Sequence, residues 1–406
     1  MNNLRFILIL FFFYCFTIQA QWDTVGVKGF SNSVADTPFL KINPVTQEPY
    51  IVFRDAINYS EATVMRFDGN NWVYVGSPGF SDGDVFLTTI AFDKTGIPYV
   101  AYGDCNNNYK ATVMKFDGNN WTPVGTSGFT PGAASYPNIA LDSNGTPYVA
   151  FRDQGDTVYY SWPNGFRASV MKFDGNNWVY VGAPGFSAGT GPYGASFTTI
   201  SFDKNNVPYI AYSDDFNGNR ATVQKFDGTN WVYVGAHGFA NWKAEYSRSM
   251  VFDSQNRPYI VCSVSGRVTV MRFENGNWTA FGNPSFSQGG AEYASIAIDN
   301  NDIVYVGFQD YGVTRKASVM KYDGTNWVYL GQQGFTPSST QHSTVDVDKY
   351  GNVYIGYADS STPHWYASVM KFTNNTADIK EIENNCSFNI YPNPTGSIFN
   401  VYYKGD

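Results

Sequence analysis

Apolar and polar positions along this chain fall into short runs, not helical stripes. "TTIAFD" (88–93), "PYVAY" (98–102), "ATVMKFD" (111–117) and "WVYVG" (72–76) typify four recurring phrases. Each is rich in β-branched and aromatic residues and is bounded by Gly, Asn, Asp or Pro, which predicts a short strand. Both faces of each run carry apolar side chains, as in "VMRF" (64–67), so the sheet they form is covered on both sides. No helical periodicity stands out between Gln21 and Thr376.

The phrases repeat in register. The "DGNNW" phrase places tryptophans at 72, 121, 178, 231, 278 and 327, at intervals of 49, 57, 53, 47 and 49 residues. The "PYVAY" phrase occurs seven times, at 49, 98, 147, 208, 258, 304 and 353, and the "ATVMRFDG" phrase also occurs seven times. A four-strand unit of this period predicts an all-β chain folded as a seven-bladed β-propeller with four-stranded blades. Only six "W..VG" strands follow a third strand, and the seventh stands at the front, in "QWDTVGVKGF" from Gln21 to Phe30. The N-terminal strand is therefore expected to complete the last blade and close the ring, which removes its open edges.

Within the unit, Asp-Gly in "FDGNNW" suits a tight hairpin, since Gly and Asn tolerate positive φ. The repeated Trp is expected to bury a large side chain once per blade. The Lys or Arg before "FDG" (66, 115, 172, 225, 272, 321 and 371) is expected near that Trp, in a cation–π or packing role.

Two connections of the unit, "DKTGIP" and "DGNN", are short and uniform and share one end of the ring. The other two vary and share the opposite end. They include 153–167, 187–196, 214–220, 240–248, 336–343 and 359–366. Seven of the ten tryptophans belong to the repeat; Trp162, Trp242 and Trp365 fall in these variable connections. Tyr159, Tyr160, Phe166, Tyr193, Tyr246, Tyr293, His364 and Tyr366 join them. Variable loops on a rigid scaffold are where binding usually resides. Trp162, Trp242, Trp365, Tyr159, Tyr160, Tyr246, His364 and Tyr366 are thus the candidate ligand-binding residues, with carbohydrate as the leading ligand class. The competing reading is that these aromatics pack their own long loops.

Composition narrows the classes. The chain has 26 Lys and Arg against 34 Asp and Glu, a net charge of −8, and 18% aromatics. No basic stripe is visible, so nucleic acid is not an expected partner. The opening "MNNLRFILILFFFYCFTIQA" has Arg5, an apolar run of twelve from Phe6 to Thr17, and a small Ala20, which reads as a signal peptide over 1–20. No later run is long enough to span a membrane. Beyond that leader three cysteines remain, Cys105, Cys262 and Cys386, an odd and widely spaced set that is no disulfide framework.

Catalytic and metal motifs are weak. Asp215, Asn217 and Asn219 have calcium-loop spacing, yet Arg220 replaces the turn glycine and Phe226 the closing Glu. His237, His342 and His364 lack a ligand spacing and read as ordinary surface residues. No metal or cofactor is expected. An Asp ends six of the second strands (55, 104, 153, 214, 310 and 359), where turn capping explains it. A glycosidase needs two carboxylates flanking one bond. Asp82, Asp84, Asp156, Asp215, Glu245 and Glu292 lie in variable connections, but sequence does not pair them. The sialidase Asp-x-Gly-x-x-Trp box is one residue longer than the Asp-Gly-x-x-Trp found here.

After Thr376 the repeat stops. A connector over 377–386 leads into "FNIYPNPTGSIFNVYY" from Phe388. Residues 387–406 resemble the opening of the C-terminal sorting domain that directs proteins through the type IX secretion system of Bacteroidetes. Tyr391, Pro392, Asn393, Pro394 and Thr395 match that family's opening motif, and Phe399 and Val401 its following strand. The rest of the sorting domain is missing, so the tail reads as truncated. The resemblance implies type IX secretion machinery as a partner and a secreted or outer-membrane surface-attached protein. The repeats also loosely resemble bacterial seven-bladed propellers, as in "DKYGNVYIGY" (348–357). The reading is an extracellular, non-enzymatic binding or adhesion module for a glycan or a surface protein. A polysaccharide hydrolase or lyase, and a purely structural surface repeat protein, are the alternatives.

Overall fold

Short strands joined by tight turns can bury their two apolar faces only by stacking sheet on sheet, and this chain does so in a ring. A computed structural model describes residues 21–31, 33–155, 166–188, 194–240, 250–264, 266–361 and 364–373. Seven four-stranded antiparallel sheets form a seven-bladed β-propeller. Blade one consists of Ala35–Ile42, Pro49–Asp55, Glu61–Phe67 and Trp72–Tyr74, and the next five repeat that order.

The seventh blade is composite. Thr340–Val347, Val353–Asp359 and Tyr366–Phe372 come from the end of the repeat region. Its outer strand is Trp22–Thr24, with Trp22 opposite Phe372, Asp23 opposite Lys371 and Thr24 opposite Met370. The front strand closes the ring as the strand count requires. By its contacts the chain divides into Met1–Thr373 and Asn374–Asp406. The leader over 1–20 and the tail motif at 391–395 lie outside the described residues.

The repeated phrase is the seam between blades. The Trp231 indole N–H donates to the Val181 carbonyl of the preceding blade at 2.7 Å, and its ring stacks on Phe186 at 4.7 Å. The same pair of contacts recurs at Trp72, Trp121, Trp178, Trp278 and Trp327, and at Trp22 across the closure, where Leu330 and Phe335 are the partners. Each stack is worth about 0.5–1.5 kcal/mol beyond area burial. The glycine after "WVYV" makes this approach possible: Gly182 has φ 72°, and a Cβ there would lie 3.1–3.2 Å from Phe226 and Trp231.

The basic residue before "FDG" does not meet that Trp. Lys115 lies over the Tyr99 ring at 5.3 Å, and Lys172, Arg272 and Lys371 cover Tyr148, Tyr259 and Tyr354. Each pair stands directly opposite in the second and third strands, whereas the Trp packs toward the neighbouring blade.

Five of the six second-strand Asp residues, 104, 153, 214, 310 and 359, are buried turn caps, while Asp55 accepts from the Ser33, Asn58 and Thr63 side chains instead. Asp104 accepts from the Asn107 amide N–H at 3.2 Å, the Asn107 side chain at 2.8 Å and Thr112 Oγ1 at 2.8 Å; Asp214 repeats the set with Asn217 and Thr222. The 214–219 segment is such a turn, a 3-10 helix over Asp215–Asn217 capped by Asp214.

Candidate functional site: the axial mouth

The innermost strand of each blade has one neighbour in its sheet and faces the ring axis with its other edge. In blades one, four and seven the adjoining blade meets that edge: the Leu40, Ile200 and Val345 amides donate to Thr344, Asn138 and Ser295 side chains. At its variable-loop end the strand is bulged. Register shifts fall between Asp36 and Phe39, Phe86 and Thr88, Ser135 and Asn138, Ser196 and Thr199, Glu292 and Ser295, and Gln341 and Thr344. A bulge re-aims a side chain. The re-aimed residues are Thr37, Leu87, Tyr136, Phe197, Tyr293 and His342, all with φ between 49° and 55°. The corresponding residue of blade five, Ser247, lies outside the described residues.

All of these except Thr37 line one cavity of about 240 Å³ at the axis. Phe39, Phe86, Thr88, Thr89, Pro137, Asn138 and Thr198 complete it, so its wall draws on blades one, two, three, four, six and seven. Tyr136 and Phe197 pack with centroids 4.7 Å apart, and Tyr293 and His342 at 4.4 Å. Phe39 and Asn138 also border a cavity of about 520 Å³ on the other side, where Lys41, Gln47, Asp346 and Lys349 are found.

Charged groups surround the aromatic mouth in fixed pairs. Arg54 holds Asp84 with two hydrogen bonds, at 2.8 and 3.1 Å, and lies 3.6 Å from Asp36. Asp84 keeps the Arg54 guanidinium above its ordinary range. His342 Nε2 is 4.0 Å from Asp36. Arg152 lies on the Phe166 ring at 4.1 Å and 3.8 Å from Asp215, which also accepts from Ser196 Oγ at 3.1 Å. Burial lowers the Arg152 guanidinium and raises the Asp215 carboxyl. Further out, the turns after the second strands expose Ile57, Tyr59, Tyr109 and Phe216. Among the described residues no cluster of His, Cys, Asp and Glu is arranged to hold a metal, and no helix is long and apolar enough to cross a membrane.

Of the candidate ligand-binding residues, Trp365, His364 and Tyr366 are described. They sit at the start of the third strand of blade seven, on this same end. Trp365 is half-buried at φ 59°, and its carbonyl accepts from the Ala35 amide at 3.2 Å. His364 is exposed, with its ring 6.4 Å from Tyr366. Trp162, Trp242, Tyr159, Tyr160 and Tyr246 lie outside the described residues. Leu87, Tyr136 and Phe197 were missed by reading loops alone. Their signal is a fixed offset, six residues before the Asn or Asp that follows the first strand. That position reads Thr, Leu, Tyr, Phe, Ser, Tyr, His in an otherwise uniform phrase.

No protein-family model matches the chain, and no curated protein matches it. Solved structures do. A fungal alcohol oxidase in complex with copper aligns at 12% identity and TM-score 0.58, covering 87% of this chain and 76% of the oxidase. The extracellular domain of a hybrid two-component system of B. thetaiotaomicron aligns at 10% identity and TM-score 0.56, over 92% of this chain and 41% of that one. A puromycin hydrolase aligns at 12% identity and TM-score 0.55, over 87% and 54%. This chain therefore spans about two fifths and about half of the last two. At such identities the likeness is one of fold, and the fold hosts many functions.

Proposed function

We propose that this chain is an exported, non-enzymatic binding module whose variable-loop end takes carbohydrate at the axial mouth. The leader over 1–20 and the tail resembling a type IX sorting domain support delivery to the cell exterior. One observation carries the ligand class: bulges in blades three, four, six and seven turn Tyr136, Phe197, Tyr293 and His342 toward one cavity. Aromatic faces stack on the C–H faces of sugar rings, and the collar of Asp, Arg, Ser and Thr around them can bond hydroxyls. Non-Gly residues at positive φ cost about 1–3 kcal/mol each and cluster at functional sites. Trp365, His364 and Tyr366 extend the same surface outward.

The test is a glycan array probed with the chain from Gln21 onward. Retention of a defined set of glycans is expected, with at least tenfold weaker binding in the Tyr136→Ala/Phe197→Ala/Tyr293→Ala variant. An array without hits, or a variant that binds as wild type does, sinks the proposal. Incubation with the bound polysaccharides reads out the competing hydrolase or lyase, for which Asp215 is a candidate carboxyl that burial pushes upward. New reducing ends or unsaturated products would establish that activity instead.

A further inference from the structure

The joint between blades one and two is finished differently from its counterparts. In blades four and seven the residue after the bulge is a hydroxyl amino acid that donates to the bulge carbonyl of the preceding blade. Thr198 Oγ1 reaches the Tyr136 carbonyl at 2.7 Å, and Ser343 Oγ the Tyr293 carbonyl at 3.2 Å. Blades one, three and six have Pro38, Pro137 and Ala294 there, with no hydroxyl to place. Blade two has Thr88, which is 1% exposed, and its Oγ1 has no hydrogen-bond partner. The Oγ1 of Thr37, the bulge residue of the preceding blade, is also buried without a partner. Tyr329 has the only other buried hydroxyl in that condition among the described residues, so two of the three belong to the bulge positions of neighbouring blades.

Buried polar groups are nearly always paired, and each exception calls for a cause. Thr88 lines the axial cavity. One step of about 120° in χ1 between staggered rotamers brings its hydroxyl to the position the methyl holds and moves the methyl to that of Hβ. The cavity, about 240 Å³, is smaller than the roughly 300–1,000 Å³ of pockets for drug-sized ligands. Its wall stands on six blades, and Phe39 and Asn138 border both it and the cavity beyond. A polymer lying across a surface needs a groove open at two ends. This mouth admits one ring, entering along the axis.

We infer that the mouth receives the terminal residue of a glycan end-on, with a sugar hydroxyl on Thr88 and the C–H face of the ring on Tyr136 and Phe197. This rests on the carbohydrate reading above and adds the mode of entry and a specificity residue. Thr88 leaves a hydroxyl unpaired in the fold so that a ligand can pair it. Its replacement by an isosteric apolar residue therefore strengthens the fold while weakening the complex.

The experiment compares wild type, Thr88→Val and Thr88→Ser, each from Gln21 onward. It measures melting temperature and calorimetric affinity for methyl pyranosides, linear gluco-oligosaccharides and cyclic glucans. Thr88→Val is expected to melt about 1–2 °C higher and to bind roughly tenfold more weakly. Thr88→Ser is expected to bind as wild type does, and cyclic glucans, which have no terminal residue, not at all. A lower melting temperature for Thr88→Val, unchanged affinity in that variant, or cyclic glucans binding as well as linear ones would overturn the inference while the carbohydrate reading stands. Failure of every array glycan and every probe to bind wild type would overturn both.

Discussion

Leu87, Tyr136, Phe197 and Tyr293 hold φ near 50° although each carries a bulky side chain. Asn tolerates that region better than a bulky residue does. Leu87 is half-buried at the mouth, not part of the core, so Leu87→Asn gives up little burial and relieves the backbone. We expect the variant to melt higher than wild type, with a gain of up to about 1 kcal/mol, and to bind ligand less well. Calorimetric melting checks the first part; an unchanged or lower midpoint would show that the bulge is not strained. The residues that line the mouth were only partly legible in the sequence. A bulge breaks the two-residue alternation from which inward and outward positions are read, so Tyr136 and Phe197 look like ordinary strand residues. Tyr293 was legible because it falls in a variable connection. The partner of the repeated Trp was not, because Phe186 and Trp231 stand far apart in sequence and meet only when blades stack.

At the level of elements, the Asp-Gly hairpins could be read directly because their chemistry is local. Gly69, Gly118, Gly175, Gly228 and Gly324 have φ of 100–105°, which a side chain would oppose. The Asp before each accepts from the backbone amides two and three residues on, as Asp174 does from Asn176 at 2.9 Å and Asn177 at 2.8 Å. These bonds hold the carboxyls of Asp68, Asp117, Asp174, Asp227 and Asp323 below their ordinary range. A carboxyl whose folded pKa is lowered stabilises the fold above the unfolded value of about 3.9 and loses that contribution as pH falls through the folded value. The melting temperature should thus fall as pH drops below about 4, and more shallowly in a variant with all five residues changed to Asn. Equal slopes in wild type and variant would assign the acid sensitivity to other carboxyls. Blade five has "ENG" in place of "DGN", and there Glu274 is held by Arg257 and Arg272.

On the scale of the whole ring, closure is a matter of strand count. The prediction came from a missing outer strand and an unassigned one at the front, and the pairing of Trp22–Thr24 with the last third strand bears it out. The closing segment is short in sheet contacts yet carries a full seam. The Trp22 indole donates to the Leu330 carbonyl at 2.7 Å and stacks on Phe335 at 4.1 Å, the Val25 amide donates to Val369 at 2.9 Å, and Phe30 stacks on Trp72 at 3.9 Å. It therefore joins blade six to blade seven and blade seven to blade one. A chain beginning at Ser31 loses both joints and leaves Tyr366–Phe372 as an open edge, which invites pairing with another chain. We expect that variant to melt well below wild type and to self-associate, as size-exclusion chromatography with light scattering would register. A synthetic peptide of residues 21–30 should restore the monomer by filling the edge in trans, and the same peptide with Trp22→Ala should fail. A truncated chain that stays monomeric at the wild-type melting temperature would mean that the seven sheets hold their ring without a fastening strand.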